Sequence, residues 1–504
     1  MDPNYSHVQH STQRHQFKFY NVLMLVAMGF GSMSFGYSSA VIAITLGQPT
    51  FLKYFGLDTN PNANALIATT NGLYQTGGFL ATFSVSVLAD RWGRKWAIAV
   101  AAILILVSGA LLAGSVHIAM FIVFRFFSGA GGFMILAAVP LLMNEVVPAK
   151  NRGMLVDIHG ACFLFGYMIA NWIGYGFYFL SLTSNSAWRA PLAFQCLPPL
   201  TVLCFLPFLP ESPRWLLMND RYEDAGKVLL KLHTAEEAAV ELVEIRNQMQ
   251  IDKTLDSSYW NILRKPSYRK RAILSVATTC SVNFSGILVI NNYGPSIYKS
   301  LGYGTEKQLL LTCGWNTLCF GAGVMAIFFI DYFSRPKLLV TGMLSCMSCL
   351  IVLAALIATF GGSENTAALK AAVAMIFIYA VTYESLLDGT QFVYIGELFP
   401  SHLRSKGVSL GVAGIALINI VFLQAAPTAF ANIGWRYYLV FIIPSGILAV
   451  VIFFVFPDTK DVPLEEISAM FGDDDELYHP SLEDGLAKEK VDQHVEISTK
   501  SAEN

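Results

Sequence analysis

Twelve stretches of this chain are long and apolar enough to cross a bilayer, a crossing that takes ~20 mostly apolar residues as a helix. They lie near 20–46, 66–89, 96–116, 118–142, 154–180 and 187–209, then 271–298, 308–330, 338–360, 370–396, 407–430 and 435–456. Each must be helical, because lipid offers backbone N–H and C=O groups no partner. Gly and Pro inside several runs fit this reading, since membrane helices tolerate both. The pattern predicts an all-α membrane protein with six transmembrane helices on either side of a polar loop. Its parts are an N-terminus (1–19), a first half (20–209), a loop (210–270), a second half (271–456) and a tail (457–504). In the loop, TAEEAAVELVEIRNQMQ sets Ala, Leu, Val and Ile at helical spacing among Glu and Arg, which predicts an amphipathic surface helix. The tail is acidic and polar, the composition of a disordered segment.

Charge orients the helices. Lys and Arg collect on alternate connections: Arg14 and Lys18, then Arg91, Arg94 and Lys95, then Lys150 and Arg152, the central loop, Arg335 and Lys337, and Arg404 and Lys406. The opposite connections hold only scattered bases such as Lys53 and Lys307. With twelve crossings every basic connection falls on one side, which the positive-inside rule makes cytoplasmic, with both termini there. A miscounted helix would break the alternation.

Composition agrees and excludes other classes. The 504 residues are 54% hydrophobic and 13% charged, against about a quarter charged in soluble proteins. A net charge of −2 gives no sign of nucleic-acid binding. The first apolar run is too long for the core of a cleavable signal and reads as the first span. Of the eight cysteines, Cys346 and Cys349 make one C-x-x-C; zinc needs about four ligands, so no metal is expected and the cysteines read as small buried residues. No G-x-x-x-x-G-K-[ST] is present, so neither a nucleotide cofactor nor a primary pump is predicted, and no nucleophile elbow or metal cluster suggests an enzyme. Gly-rich GFGSMSFGY, Gly29 to Tyr37, reads as close helix packing.

Two motifs recur. NEVVPAKNRG and GELFPSHLRSKG share E-x-x-P-x-x-x-R: Glu145, Pro148 and Arg152 reappear as Glu397, Pro400 and Arg404. DRWGRK and DYFSRPK share an acid and an arginine four apart, Asp90 and Arg94, then Asp331 and Arg335. Both recur in the same order and place in each half, the parallel repeat of a transporter with halves related by an axis along the membrane normal. All these charges sit at cytoplasmic helix ends. Acids and arginines of the two halves are expected to pair when those ends meet and to part when they separate, and Arg suits this because its fork binds carboxylate bidentately. The alternative is that they are snorkelling topology signals, which would not need fixed acids and prolines.

With these residues the chain resembles the sugar porter family of the major facilitator superfamily along almost its whole length. The matching motifs are DRWGRK, Arg125 in RFFSGAGG, PLLMNEVVPAKNRG, PESPRWLL, SGILVINNYGPSIYKSLG after Asn283, ELFPSHLRSKG and PDTKDVPLEE. VINNYGP resembles fungal members. The resemblance implies two six-helix bundles, a central site between them and alternating access, and it brings Glu211 and Arg214 of PESPR into the gating set. The site departs from the family pattern. The usual glutamine of the fifth helix falls on Gly160, beside His159. In the seventh helix two glutamines read Val282 and Asn283, an asparagine reads Leu288 and a tyrosine reads Asn292. In the tenth, GPxPW reads DGTQF, so the aromatic plate is Phe392; Asn419 of the eleventh is kept.

A sugar needs short groups that donate and accept hydrogen bonds, and amides do both. Asn283, Asn292 and Asn419, with Asn291 and Asn316, are the candidate contacts, and helix-to-helix bonding is the alternative for each. His159 is a further candidate or a packed histidine. The implied partners are a small-molecule substrate and lipid, with the carrier working as a monomer, expected in the plasma membrane. A sugar or polyol carrier ranks first, a carrier or exporter of another small organic molecule such as a secondary metabolite second, and a transporter-like nutrient receptor third. Proton-coupled sugar porters place an acid just after FGY in the first helix, facing Arg125; here that position is Ser38, which favours facilitated diffusion. Glu384 and Asp388, four apart in YESLLDG, are the coupling candidates if coupling exists.

Overall fold

The computed structural model describes residues 19–146, 152–180, 184–232, 258–361, 365–400 and 403–460, with 238, 242–243, 245–246, 462, 467 and 470–472. The first half holds α1 (Phe19–Leu46), α2 (Ala63–Trp92), α3 (Arg94–Ala113), α4 (Ile118–Val146) and α5 (Arg152–Leu180). Its sixth crossing is split into α6a (Ser186–Phe194) and α6b (Leu197–Phe205), because Pro198 and Pro199 start the second piece afresh. The second half begins with α7a (Pro266–Asn283) and α7b (Ile287–Ser300), then α8 (Thr305–Ala326) and α9 (Arg335–Phe360). Next come α10a (Thr366–Tyr383) and α10b (Gly389–Glu397), then α11 (Arg404–Ile433) and α12 (Leu439–Val455). These are the twelve crossings the apolar runs predict, with ends that differ by up to five residues. By length and hydropathy, nine helical segments among the described residues can cross a membrane; the last, Arg404–Val455, contains both α11 and α12, while α2 and α5 are too polar to be counted or only partly described. Most of the expected amphipathic loop helix and the tail from 473 onward lie outside the described residues.

Helix contact follows small residues, since lipid is as apolar as the core and close approach must supply the attraction. Gly36 of α1 beds on the Phe163 carbonyl of α5, and Gly166 of α5 beds on the Met33 carbonyl; a Cβ at Gly36 would collide with backbone. The expected tight packing of GFGSMSFGY therefore holds at Gly36. The halves meet where α2 lies along α11, α5 along α8, and α1 against α7b. Across this seam Trp172 of α5 donates its indole N–H to Thr317 of α8 at 2.9 Å; within the second half, Tyr293 of α7b donates to the Leu423 carbonyl of α11 at 2.9 Å. Large exposed apolar side chains, among them Phe328 and Phe454, face outward, as lipid contact requires.

Two irregular segments shape the centre. The seventh crossing breaks at Phe284–Gly286, where Gly286 adopts φ +84°, a left-handed conformation that glycine takes without Cβ strain. The tenth crossing changes to a π turn over Glu384–Asp388, a widening that recurs at functional sites.

Candidate transport site

Between the halves lies a cavity of about 750 Å³ of atom-free space, its mouth included. The first half lines it mainly with apolar groups from α1, α4 and α5, among them Phe35, Phe133 and Phe163, plus Ser39, Gln75 and Tyr167. The second half supplies the polar groups: Asn283 and Asn291 of α7, Trp315 and Asn316 of α8, and Tyr383, Glu384, Asp388, Gln391 and Phe392 around the π turn. The break in α7 and the π turn thus both open onto the cavity.

The sequence-predicted amides divide. Asn283, Asn291 and Asn316 line the cavity, as does Phe392. Asn292 does not: one residue on from Asn291 it points about 100° round the helix, and its amide donates back to the Leu288 carbonyl at 2.8 Å. Asn419 stands behind Asn283, donating to its Oδ1 at 2.9 Å, while Asn283 donates to the Thr279 carbonyl at 2.8 Å. His159 also lies off the cavity, with its Nδ1 against the Ser32 hydroxyl of α1 and its ring beside Phe163. Sequence reasoning missed Gln75, Trp315, Tyr383 and Gln391, and lone polar or indole groups inside apolar runs were the available signal. Several lining atoms have no partner: the carbonyl oxygens of Gln75, Asn291 and Gln391, one Glu384 oxygen, and the Trp315 N–H. A buried polar atom left unpaired costs ~1–3 kcal/mol, so a ligand offering hydroxyls would be favoured there.

Arg125 is where the sequence placed it. Buried in α4, it donates to the Ser38 carbonyl at 2.8 Å and lies over the Tyr74 ring at 4.2 Å, and Tyr74 meets the Ser38 hydroxyl at 3.2 Å. Among the described residues no carboxylate pairs with Arg125.

At the ends that carry the repeated motifs, the ion pairs among the described residues lie inside each half. Arg94 grips Glu145 bidentately, Nε to Oε2 at 2.7 Å and Nη2 to Oε1 at 2.9 Å, and reaches Asp90 at 3.3 Å. Arg335 reaches Glu397 at 3.2 Å. Both arginines also donate to the carbonyl five residues back, Ala89 and Ile330, at 2.9 Å. The reason is topological: each E-x-x-P-x-x-x-R acid ends a helix beside the arginine that starts another in the same bundle. Glu211 accepts from the Arg94 and Lys95 backbone N–H groups at 3.1 and 3.2 Å, capping α3; burial nevertheless pushes its carboxyl above the usual range. Thr459 donates to Glu397 at 2.6 Å. Arg214 lies half-buried on the short helix Pro213–Met218, and Arg404 opens α11. The side chains of Arg152 and Asp331, and Pro148, lie outside the described residues.

Tyr259 of the central loop touches both halves at this end. Its hydroxyl meets Ser86 of α2 at 3.0 Å, and Lys406 of α11 lies over its ring at 5.7 Å.

The family model for sugar (and other) transporters matches residues 23–471. The MFS-type transporter criB of Aspergillus cristatus is 32% identical, over 91% of this chain and 95% of that protein. The high-affinity glucose transporter of Kluyveromyces lactis is 28% identical, over 90% and 86%. The solved proton:xylose symporter XylE, bound to 6-bromo-6-deoxy-D-glucose, shares the fold with a TM-score of 0.75 and 23% identity, over 90% of this chain and 99% of that one. The twelve-helix architecture, the doubled charged motifs and this match agree: the chain is a multi-pass membrane transporter and belongs to the sugar transporter family of the major facilitator superfamily.

Proposed function

We propose that the protein carries a sugar or related polyol across the plasma membrane by alternating access, as a monomer with both termini cytoplasmic. The observation that carries this reading is one cavity between the halves lined by Gln75, Asn291, Gln391 and Trp315, residues whose side chains hold acceptors and a donor with no partner in the protein. Hydroxyl-rich solutes match it, because each hydroxyl donates and accepts, and the aromatic walls suit the apolar face of a sugar ring. The glucose transport named for the Kluyveromyces lactis relative supports this substrate class. Asn283, Asn291 and Asn316 are the proposed contacts, Asn419 holds Asn283 in place, and the charged motifs set the cytoplasmic rim.

A second reading, a carrier or exporter of a less polar organic molecule, draws on the phenylalanine-rich wall of the first half and on Asp388, Gln391 and Phe392 in place of the family's GPxPW. Uptake of labelled sugars and polyols by cells lacking their own sugar carriers separates the two. The sugar reading predicts saturable uptake of at least one hydroxyl-rich solute, weakened in Asn291→Ala at equal surface abundance. Uptake of none of them, with transport of an apolar metabolite instead, supports the second.

A further inference from the structure

Two carboxylates, Glu384 and Asp388, line the cavity one turn apart on the π segment of the tenth crossing. No Lys, Arg or His is among the cavity-lining residues, and among the described residues neither acid forms an ion pair. Asp388 accepts only from Gln391, at 3.2 Å, and one Glu384 oxygen has no partner although the residue is 6% exposed. The groups that face the pair from the helices packed on it are Cys319 of α8, Cys346 of α9, Tyr379 and Tyr383 of α10a, and Tyr167 of α5. None is cationic. Arg125, the cation a first-helix acid would face, is engaged by the Ser38 carbonyl and the Tyr74 ring.

Two adjacent negative charges cannot both persist in a low-dielectric site without a counter-charge. Asn291, Gln391 and Trp315, all over nine-tenths buried and each with a polar side-chain atom that has no partner in the protein, line the same space. On the carrier reading above, a transported solute occupies this space, and the pair lines it.

Resting on the carrier reading above, we propose that Glu384 and Asp388 form a proton-carrying pair that couples transport to a proton gradient. One proton leaves water on the acidic side, joins a carboxylate oxygen as substrate enters, crosses with the closed carrier and returns to water on the other side. The proton seat is thereby moved from the first helix, where Ser38 has no carboxyl, to the tenth, and this replaces the facilitated diffusion expected from Ser38 alone.

Two measurements test this. In purified protein in lipid discs, infrared difference spectra across a pH titration are expected to show a protonated-carboxyl C=O band that is lost in Asp388→Asn or Glu384→Gln. A band set unchanged in both folded variants overturns the proposal, and this arm needs no substrate. In proteoliposomes with the sugar found by the uptake panel, inward accumulation is expected with acid outside and to collapse to equilibration with an uncoupler. Asp388→Asn is expected to lose the uncoupler-sensitive accumulation. Accumulation driven by a sodium gradient alone, or uptake indifferent to the uncoupler, overturns the coupling while leaving the carrier reading intact. Absence of any sugar uptake, with the band present, defeats the carrier reading instead.

Discussion

Asn283, Asn291, Asn292 and Asn419 differ in what each amide has left to offer. Asn291 lines the cavity and its carbonyl oxygen has no partner in the protein, whereas Asn292 spends its N–H on its own helix and is not among the lining residues. Losing a substrate hydrogen bond costs ~1 kcal/mol, roughly a fivefold change in binding. Asn291→Ala is therefore expected to raise the apparent KM about fivefold by that estimate, while Asn292→Ala leaves it nearly unchanged; equal effects in transport assays contradict the placement. Asn419→Ala is expected to act through Asn283, whose Oδ1 it frees, so the double variant is no worse than Asn283→Ala alone. That the spans carry amides was legible in the sequence. Which of two adjacent amides faces the centre was not, because a one-residue step turns a side chain by ~100° and the break in α7 resets the helical phase.

At the level of helices, the twelve apolar runs gave the crossings because the bilayer fixes their length and satisfies no backbone group. Their interruptions were less visible. A Gly and two Pro residues gave no unique position for the breaks, and nothing in YESLLDG distinguishes a π turn from an α turn. Gly286 is the sharpest test of the α7 break: at φ +84° a Cβ is strained and would also lie 2.8 Å from the Phe441 ring. Gly286→Ala is expected to destabilise by ~1–3 kcal/mol, read as a lower melting temperature with the far-ultraviolet helical signal retained. An unchanged melting temperature contradicts the left-handed joint.

Across the whole molecule, the described ion pairs of the doubled motifs lie inside each half, which on the alternating-access proposal stiffens two rims. Burial differs between the pairs: the Arg94 and Glu145 side chains are 5% and 9% exposed, Arg335 and Glu397 7% and 26%. Stranding a buried charge costs ~3–5 kcal/mol, against ~0–1 kcal/mol for loss of an exposed pair. Arg94→Ala is expected to lower thermal stability and transport more than Arg335→Ala, and the reverse order contradicts this. Tyr259, which touches α2 and α11 together, is expected to hold the cytoplasmic ends closed. Tyr259→Phe should speed labelling of a cysteine placed at the rim, with unchanged labelling the contrary result. The repeats were legible because two copies stand at matching places; their partners were not, because sequence does not say which acid lies beside which arginine. The most direct test of a substrate held between the halves is Trp315 fluorescence in the purified protein, since its unpartnered indole faces the cavity. Titration with the transported sugar is predicted to give a saturable change that disappears in Trp315→Phe while transport continues. A saturable change that survives in Trp315→Phe, or transport with no change in the wild type, would contradict binding in this cavity.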